Sequence, residues 1–281
     1  MNLLKIAAFA DDNKGGNPAG VVICNEMPEE KNMLSIAKQV GYSETAFLKP
    51  VKDGWRIRYF SPEMEVPFCG HATIASGAVL GDRFGEGVYK LFLNNDEIIV
   101  DVTKSVNNRY TAALHSPGTW SKAAPHEYVE EIIKQFQFTA ADIEPNFPIR
   151  FAFAGAKHLI IVLKDLKTLA EMTYHFESTK ALMRNEDVAT INLLWPESDR
   201  VFHSRNAFPP GGIYEDPATG AAAAALAGYL RDIGWPGKRR FEIIQGVDMG
   251  CPSRLYVEYT SEPGASVKVA GKTRYISENN G

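Results

Sequence analysis

The sequence predicts a mixed α/β protein of two similar halves, each with strands wrapped around one small-residue helix. Three observations carry this. Strand-like alternation recurs along the whole chain, helical periodicity is confined to a few segments, and one glycine turn opening an Ala- and Gly-rich helix occurs twice, roughly 150 residues apart. The 281 residues suffice for two cores of about 130 residues each.

The elements follow in chain order. Residues 1–10 read as a first strand, since the apolar stretch stops at Asp11 and Asp12, too soon for a secretory signal. A second strand is expected at 21–23. A helix begins at Pro28, Glu29 and Glu30, where proline and two acids suit the positive end of a helix dipole. Its apolar positions Met33, Ile36, Ala37 and Val40 recur at helical spacing, and Gly41 is the stop. Residues 55–60 alternate as a strand, and Asn94, Asn95 and Asp96 form a hairpin turn between strands at 91–93 and 98–100. A second amphipathic helix spans 125–138, with Tyr128, Val129, Ile132, Ile133 and Phe136 on one face. Further strands are expected at 150–153, 159–163, 189–194, 241–245, 255–259 and 267–270. The loop 116–124, with Pro117 and Gly118, marks the boundary between lobes at 1–117 and 125–281, and the terminal strand is free to return to the first lobe.

Composition narrows the function classes. An apolar fraction of 45 % with 23 % charged residues is that of an ordinary folded protein rather than a disordered chain. A net charge of −4 with scattered Lys and Arg supplies no basic field, so nucleic acid is excluded as a partner. No apolar run reaches the roughly 18 residues of a membrane span. Cys24, Cys69 and Cys251 are too few and too dispersed for a disulfide framework, which points to a reducing cytoplasm.

The repeated turn is the most informative feature. Cys69, Gly70 and His71 open a helix carrying Ala72, Ala75, Ser76 and Gly77, and Asp216, Pro217, Ala218, Thr219 and Gly220 open one that continues through Ala221–Ala225. Helices so rich in small residues have neither a charged face for solvent nor large apolar anchors, which suits central helices approached closely by other backbones. Their first N–H groups lack intrahelical partners, and the dipole adds positive character. Two such ends facing a common cleft would bind a carboxylate. The alternative is that both are packing glycines.

The ordered motifs Gly16-Asn17-Pro18-Ala19-Gly20, Ser43-Glu44-Thr45-Ala46-Phe47, Arg58-Tyr59-Phe60-Ser61-Pro62 with Glu65, Cys69-Gly70-His71-Ala72-Thr73, Glu215-Asp216-Pro217-Ala218-Thr219-Gly220 and Gln245-Gly246 with Met249-Gly250 resemble those of the PhzF-like family. They span residues 16 to 250. The resemblance implies the diaminopimelate epimerase-like fold, also that of proline racemase: two pseudo-symmetric domains, each a curved, mostly antiparallel sheet around a central helix. It further implies an interdomain active site, no cofactor and a homodimer.

Carried over residue by residue, Glu44 matches the family's general acid/base, whose chemistry needs one carboxyl able to take a proton from carbon and return it elsewhere. His71 and Asp216 match substrate-contacting residues, and Gly70, Asn17, Thr219 and Gly220 are further binding positions for a small carboxylated substrate. The competing readings are a helix-cap or surface glutamate, a structural histidine and an Asp216 N-cap. Cys69 occupies the place of one catalytic cysteine of the epimerases, and a helix N-terminus favours thiolate. The second turn, however, has no cysteine, which disfavours a two-thiol epimerase. Cys69 and His71 lack a second ligand pair at usable spacing, so no metal site is expected. Ala221 and Cys251 replace a serine and an arginine common in the family, so the family's phenazine precursor is not carried over as substrate. The expected activity is a cofactor-independent proton-shifting isomerase. The alternatives are a non-catalytic small-acid-binding or interaction protein and a Cys69-dependent enzyme.

Overall fold

The computed structural model describes residues 2–104 and 110–276. The chain divides into two compact units, Met1–His115 with Ala270–Gly281, and Ser116–Val269. Both are sheet-rich, and no helix among the described residues is long and apolar enough to cross a membrane.

The first unit contains β1 (Asn2–Ala8), β2 (Asn17–Ile23), α1 (Glu30–Val40), β3 (Thr45–Val51), β4 (Gly54–Phe60), β5 (Glu65–Val66), α2 (Gly70–Phe84), β6 (Gly87–Phe92), β7 (Glu97–Lys104) and β8 (Tyr110–His115). The chain's last strand, Lys268–Tyr275, joins it from Ala270 onward. The strand order β1-β2-β3-β4-β6-β7-β8 continues to this last strand, which pairs back onto β1 and closes an eight-stranded barrel. Most pairings are antiparallel, whereas β2 with β3 and β4 with β6 are parallel.

Helix α2 touches β1, β2, β3, β7 and β8, and every residue from Gly70 to Gly81 is buried. Small residues are what permit this approach. A Cβ on Gly77 would stand 2.7 Å from Val100 Cγ1 and 2.9 Å from Ala112 Cβ, and one on Gly81 would stand 2.6 Å from Tyr110 and Val102. On the other face of β2, β3 and β4, α1 buries Met33 and Ala37 against Val22, Phe47 and Phe60. Gly41 ends that helix at φ 71, its N–H donating to Ala37 O, as a left-handed C-terminal residue should.

The second unit contains β9 (Trp120–Ala123), α3 (His126–Gln135), β10 (Arg150–Phe153), β11 (Lys157–Val162), α4 (Leu166–Ala170), α5 (Phe176–Asn185), β12 (Thr190–Pro196), β13 (Val201–Ala207), a 3-10 turn at Pro209–Gly211, α6 (Gly220–Asp232), β14 (Arg240–Gln245) and β15 (Ser253–Glu258). Its strands follow one another in the order β9-β10-β11-β12-β13-β14-β15, or the reverse. Helix α6 packs on β9, β10, β11 and β15, and Gly228 is required because a Cβ there would lie 2.7 Å from Thr119 Cβ. Helices α3, α4 and α5 enclose a second core: Tyr128, Ile132, Phe136, Leu169 and Met183 pack against Phe151, Leu159, Ile161, Ile191 and Leu193.

The mixed α/β fold with one small-residue helix at the heart of each unit matches the sequence expectation. Several boundaries differ. The expected boundary loop 116–124 holds β9, which pairs with β10 and stacks Trp120 on Phe153 with ring centroids 5.2 Å apart. Pro117 and Gly118 lie outside any strand, but the residues after them pair. The helix expected over 125–138 stops at Gln135, since Gln137 adopts φ 58. The strand expected at 267–270 runs from Lys268 to Tyr275.

Candidate active site

In the first unit, Glu44 lies between the α1 stop and β3. Its carbonyl accepts from Gly20 N–H at 3.2 Å, which ties the Ser43-Glu44-Thr45 segment to β2. Gly20 is needed at this crossing, for a Cβ would stand 2.7 Å from Thr45 Oγ1. Cys69 is the N-cap of α2 and uses no side-chain cap, while Gly70 and His71 are its first helical residues.

These elements bring three ionisable side chains together. His71 Nε2 lies 3.3 Å from Glu44 Oε2, with side-chain exposures of 7 % and 12 %. Ser43 Oγ is also 3.3 Å from Nε2, and Cys69 Sγ is 3.4 Å from the other ring nitrogen, Nδ1. One tautomer satisfies both hydrogen bonds, with the thiol donating to Nδ1 and Nε2–H donating to Ser43 Oγ, while Glu44 Oε2 stands beside the same nitrogen; the partners assign it.

The N-terminal turn of α2 is braced from behind. Thr73 Oγ1 donates to Cys69 O at 2.7 Å, and the Tyr59 hydroxyl lies 2.6 Å from the same Thr73 oxygen. Burial pushes the Tyr59 phenol far above its ordinary range, so it acts here as a neutral strut. Arg58 holds Glu65 through Nε at 2.8 Å. That bond keeps the Glu65 carboxyl below its usual range and the Arg58 guanidinium above its own, and it fixes β5 on the path leading into Cys69. Asn17 is buried at the start of β2, opposite Ala8.

In the second unit, Asp216, Thr219 and Gly220 form the turn into α6. Thr219, not Asp216, is the N-cap residue, which corrects the N-cap alternative for Asp216. Asp216 instead accepts the Thr219 hydroxyl through Oδ2. Asn206 Nδ2 donates to that same Thr219 oxygen. Gln245 closes the turn: Nε2 donates to Asp216 O at 2.7 Å, and Oε1 accepts from Thr219 N–H at 3.3 Å. Behind Asp216, Arg205 and Glu215 form a buried ion pair, Nε to Oε1 at 3.0 Å and Nη2 to Oε2 at 2.6 Å. Burial pulls the guanidinium down, but the Glu215 bonds more than offset it and leave Arg205 above its ordinary value. Ala221, at the second position of α6, is only partly buried. Cys251 donates its N–H to Gly246 O at 2.9 Å. Gly246, at φ +74, sits so close to Pro217 O that a Cβ would lie 2.7 Å away.

All the sequence-expected residues but Asn17 thus fall into two groups: Glu44, Cys69, Gly70 and His71 at the α2 turn, and Asp216, Thr219 and Gly220 at the α6 turn; Asn17 belongs to the start of β2. Ser43, Asn206 and Arg205 were not among the expected site residues. Ser43 lies inside a motif already singled out, so its adjacency to Glu44 was the available signal; Asn206 and Arg205 sit on a strand that hydrophobic patterning does not reveal. A separate cavity of about 530 Å³ lined by Arg200, Lys238, Arg239, Arg240, Glu258, Tyr259 and Thr260 contains none of these residues.

The family model described as phenazine biosynthesis-like protein, PhzC-PhzF, matches residues 6–279. An uncharacterized isomerase of Bacillus subtilis is 28 % identical over 277 residues, covering 95 % of this chain and 93 % of the relative. The trans-2,3-dihydro-3-hydroxyanthranilate isomerase of Pseudomonas aeruginosa is 29 % identical over 281 residues, covering 97 % and 96 %. The crystal structure of a Bacillus anthracis phenazine biosynthesis protein of the PhzF family superposes with a TM-score of 0.86 at 22 % identity, covering 99 % of this chain and 98 % of that one.

Proposed function

Because the chain belongs to the PhzC-PhzF family and is an isomerase, we propose that Glu44 carries the proton in a cofactor-independent shift on a small carboxylated substrate. The carboxylate of Glu44 takes a proton from a carbon next to an unsaturated or carboxyl-bearing system. The electron pair left behind moves into that system, the double bond migrates, and the same carboxyl returns the proton to the carbon at its other end. Atoms and charge balance without a co-reactant.

The observation that carries this reading is the 3.3 Å approach of Glu44 Oε2 to His71 Nε2 at the first turn of a buried helix. A shuttle must keep one geometry while its charge changes, and His71, flanked by Cys69 and Ser43, holds the carboxylate oxygen in place. The first N–H groups of α2, which have no partner within the helix, suit a substrate carboxylate. Asp216, with Thr219 and Gly220, is the proposed binding element of the second unit, its carboxylate suited to a substrate amino or hydroxyl group. The 2,3-dihydro-3-hydroxyanthranilate named for the Pseudomonas relative is an example of such chemistry, but Ala221 and Cys251 withhold a hydroxyl and a guanidinium, so that compound is not assigned here.

A screen of small unsaturated acids in heavy water tests the reading. One or more should incorporate deuterium with wild type and not with Glu44→Gln, while the variant still binds them. Binding without exchange in wild type would instead support a small-acid-binding protein.

The thiol reading is favoured by one observation, Cys69 Sγ at 3.4 Å from His71 Nδ1, a neighbour able to accept its proton. It requires that alkylation abolish turnover and that Cys69→Ala be inactive. Retained exchange in Cys69→Ala removes it.

A further inference from the structure

We propose that Glu44, Cys69 and His71 form a binding site for Zn²⁺, and that the bound ion blocks the proton shuttle. The block rests on the Glu44 reading above; the binding does not.

The sequence expectation of no metal site followed from spacing, because Cys69 and His71 lie two residues apart with no second pair. The fold supplies the third donor from a different element. The donor atoms of Glu44, Cys69 and His71 all lie within 4.8 Å of one another. Thiolate, imidazole and carboxylate together are a zinc ligand set.

The distances fit a tetrahedral ion once they are referred to one ring nitrogen. Around His71 Nε2, Glu44 Oε2 stands at 3.3 Å and Cys69 Sγ at 3.9 Å. Zinc bonds of about 2.0–2.3 Å place neighbouring tetrahedral ligands roughly 3.3–3.6 Å apart. The His–Glu edge already has that length. The His–Cys edge must shorten by about 0.3 Å and the Cys–Glu edge by at most about 1.2 Å, which rotation of the Glu44 side chain can supply. Ser43 Oγ, also 3.3 Å from Nε2, or a water would fill the fourth position.

The neighbourhood supports the same ion. The donors are largely shielded from solvent, with 12 % exposure the highest of the His71–Glu44 pair. Among the ion pairs of the described residues, Glu44 is joined to His71 and to no Lys or Arg, so no fixed cation competes for the carboxylate. Cys69 and His71 sit on one rigid turn, held by the Thr73 and Tyr59 hydroxyls, so the ion would find two of its three ligands already placed. With its carboxylate on zinc, Glu44 cannot accept a proton from carbon.

Titration of the metal-free 281-residue chain with Co²⁺ is the test. The expected result is a thiolate-to-cobalt charge-transfer band saturating at one ion per chain, removed by one equivalent of Zn²⁺. Cys24 and Cys251 are also free thiols, so the band must vanish in Cys69→Ser. Zn²⁺ affinity should fall at least about 100-fold in His71→Asn, since loss of an outer partner alone costs 10–100-fold. Wild-type binding without the thiolate band overturns the site, whatever the variants do, as does unchanged Zn²⁺ affinity in folded His71→Asn. If the band appears but deuterium exchange does not depend on Glu44, the metal site stands and the Glu44 reading falls. If exchange depends on Glu44 and no band forms, the converse holds.

Discussion

The turns that open α2 and α6 share a plan and differ in chemistry. Each begins a buried helix of small residues with no acidic side chain in its first turn and no side-chain cap. The α2 turn, however, presents a thiol and an imidazole beside Glu44, groups that accept and release protons. The α6 turn presents a hydroxyl, two amides and a carboxylate that bond one another: Thr219, Asn206, Gln245 and Asp216. The first arrangement suits proton transfer and the second suits a fixed shape. One scaffold element, used twice, is flanked by two different sets of side chains.

The expected effects of substitution sharpen that contrast. The largest is at Arg205. Replacing it by Met strands the buried Glu215 carboxylate beside Asp216, and loss of about 3–5 kcal/mol is expected in chemical denaturation. Amide hydrogen exchange should place the loosening in the second unit, around α6; loosening centred on α2 would contradict the separation. Next come the helix glycines. Gly77→Ala presses a methyl against Val100 and Ala112, and Gly228→Ala presses one against Thr119. Each should cost about 1–3 kcal/mol, the first loosening the barrel and the second the other unit.

A pH effect of similar size is expected in the second unit. His158 is buried, its Nδ1 bonded to Thr190 Oγ1 at 2.7 Å, and burial lowers its pKa to about 3. The unfolded chain, with an ordinary histidine near 6.5, therefore binds a proton between pH 6.5 and 3 that the folded chain refuses. Stability contributed by neutral His158 is thus present above pH 6.5 and falls as pH drops through that window. About 2 kcal/mol should be lost from pH 7 to pH 5. Denaturation of His158→Asn at the two pH values should show a correspondingly smaller difference. The smallest effect is at Gln245. Its replacement by Ala removes the bonds to Asp216 O and Thr219 N, costing about 1 kcal/mol and weakening ligand affinity without slowing proton transfer in the bound state.

Much of the scaffold could be read from the residues alone because it rests on local rules. Gly41 does stop α1 in the left-handed conformation, and the Asn94-Asn95-Asp96 turn does join β6 to β7, with Phe92 opposite Glu97. The small-residue composition of α2 and α6 told of close approach, and Val100 and Thr119 are what approach them. Strand β13 escaped because its buried positions include Ser204, Arg205 and Asn206. Their burial is compensated by Asn192, Glu215 and Thr219, partners that no periodicity announces. At the α2 turn, Cys69 and His71 are neighbours in sequence, but their meeting with Glu44 and Ser43 depends on how β3 sits beside α2. Sequence spacing sees only contacts within one element.

The division of labour between the turns is tested most directly by measuring, on one exchanging acid, solvent-deuterium incorporation at saturation together with binding affinity for Glu44→Gln and Asp216→Asn. Glu44→Gln should lose at least about 100-fold in exchange with affinity nearly unchanged. Asp216→Asn should weaken binding while exchange at saturation persists. Exchange that survives in Glu44→Gln but vanishes at saturation in Asp216→Asn would contradict the account.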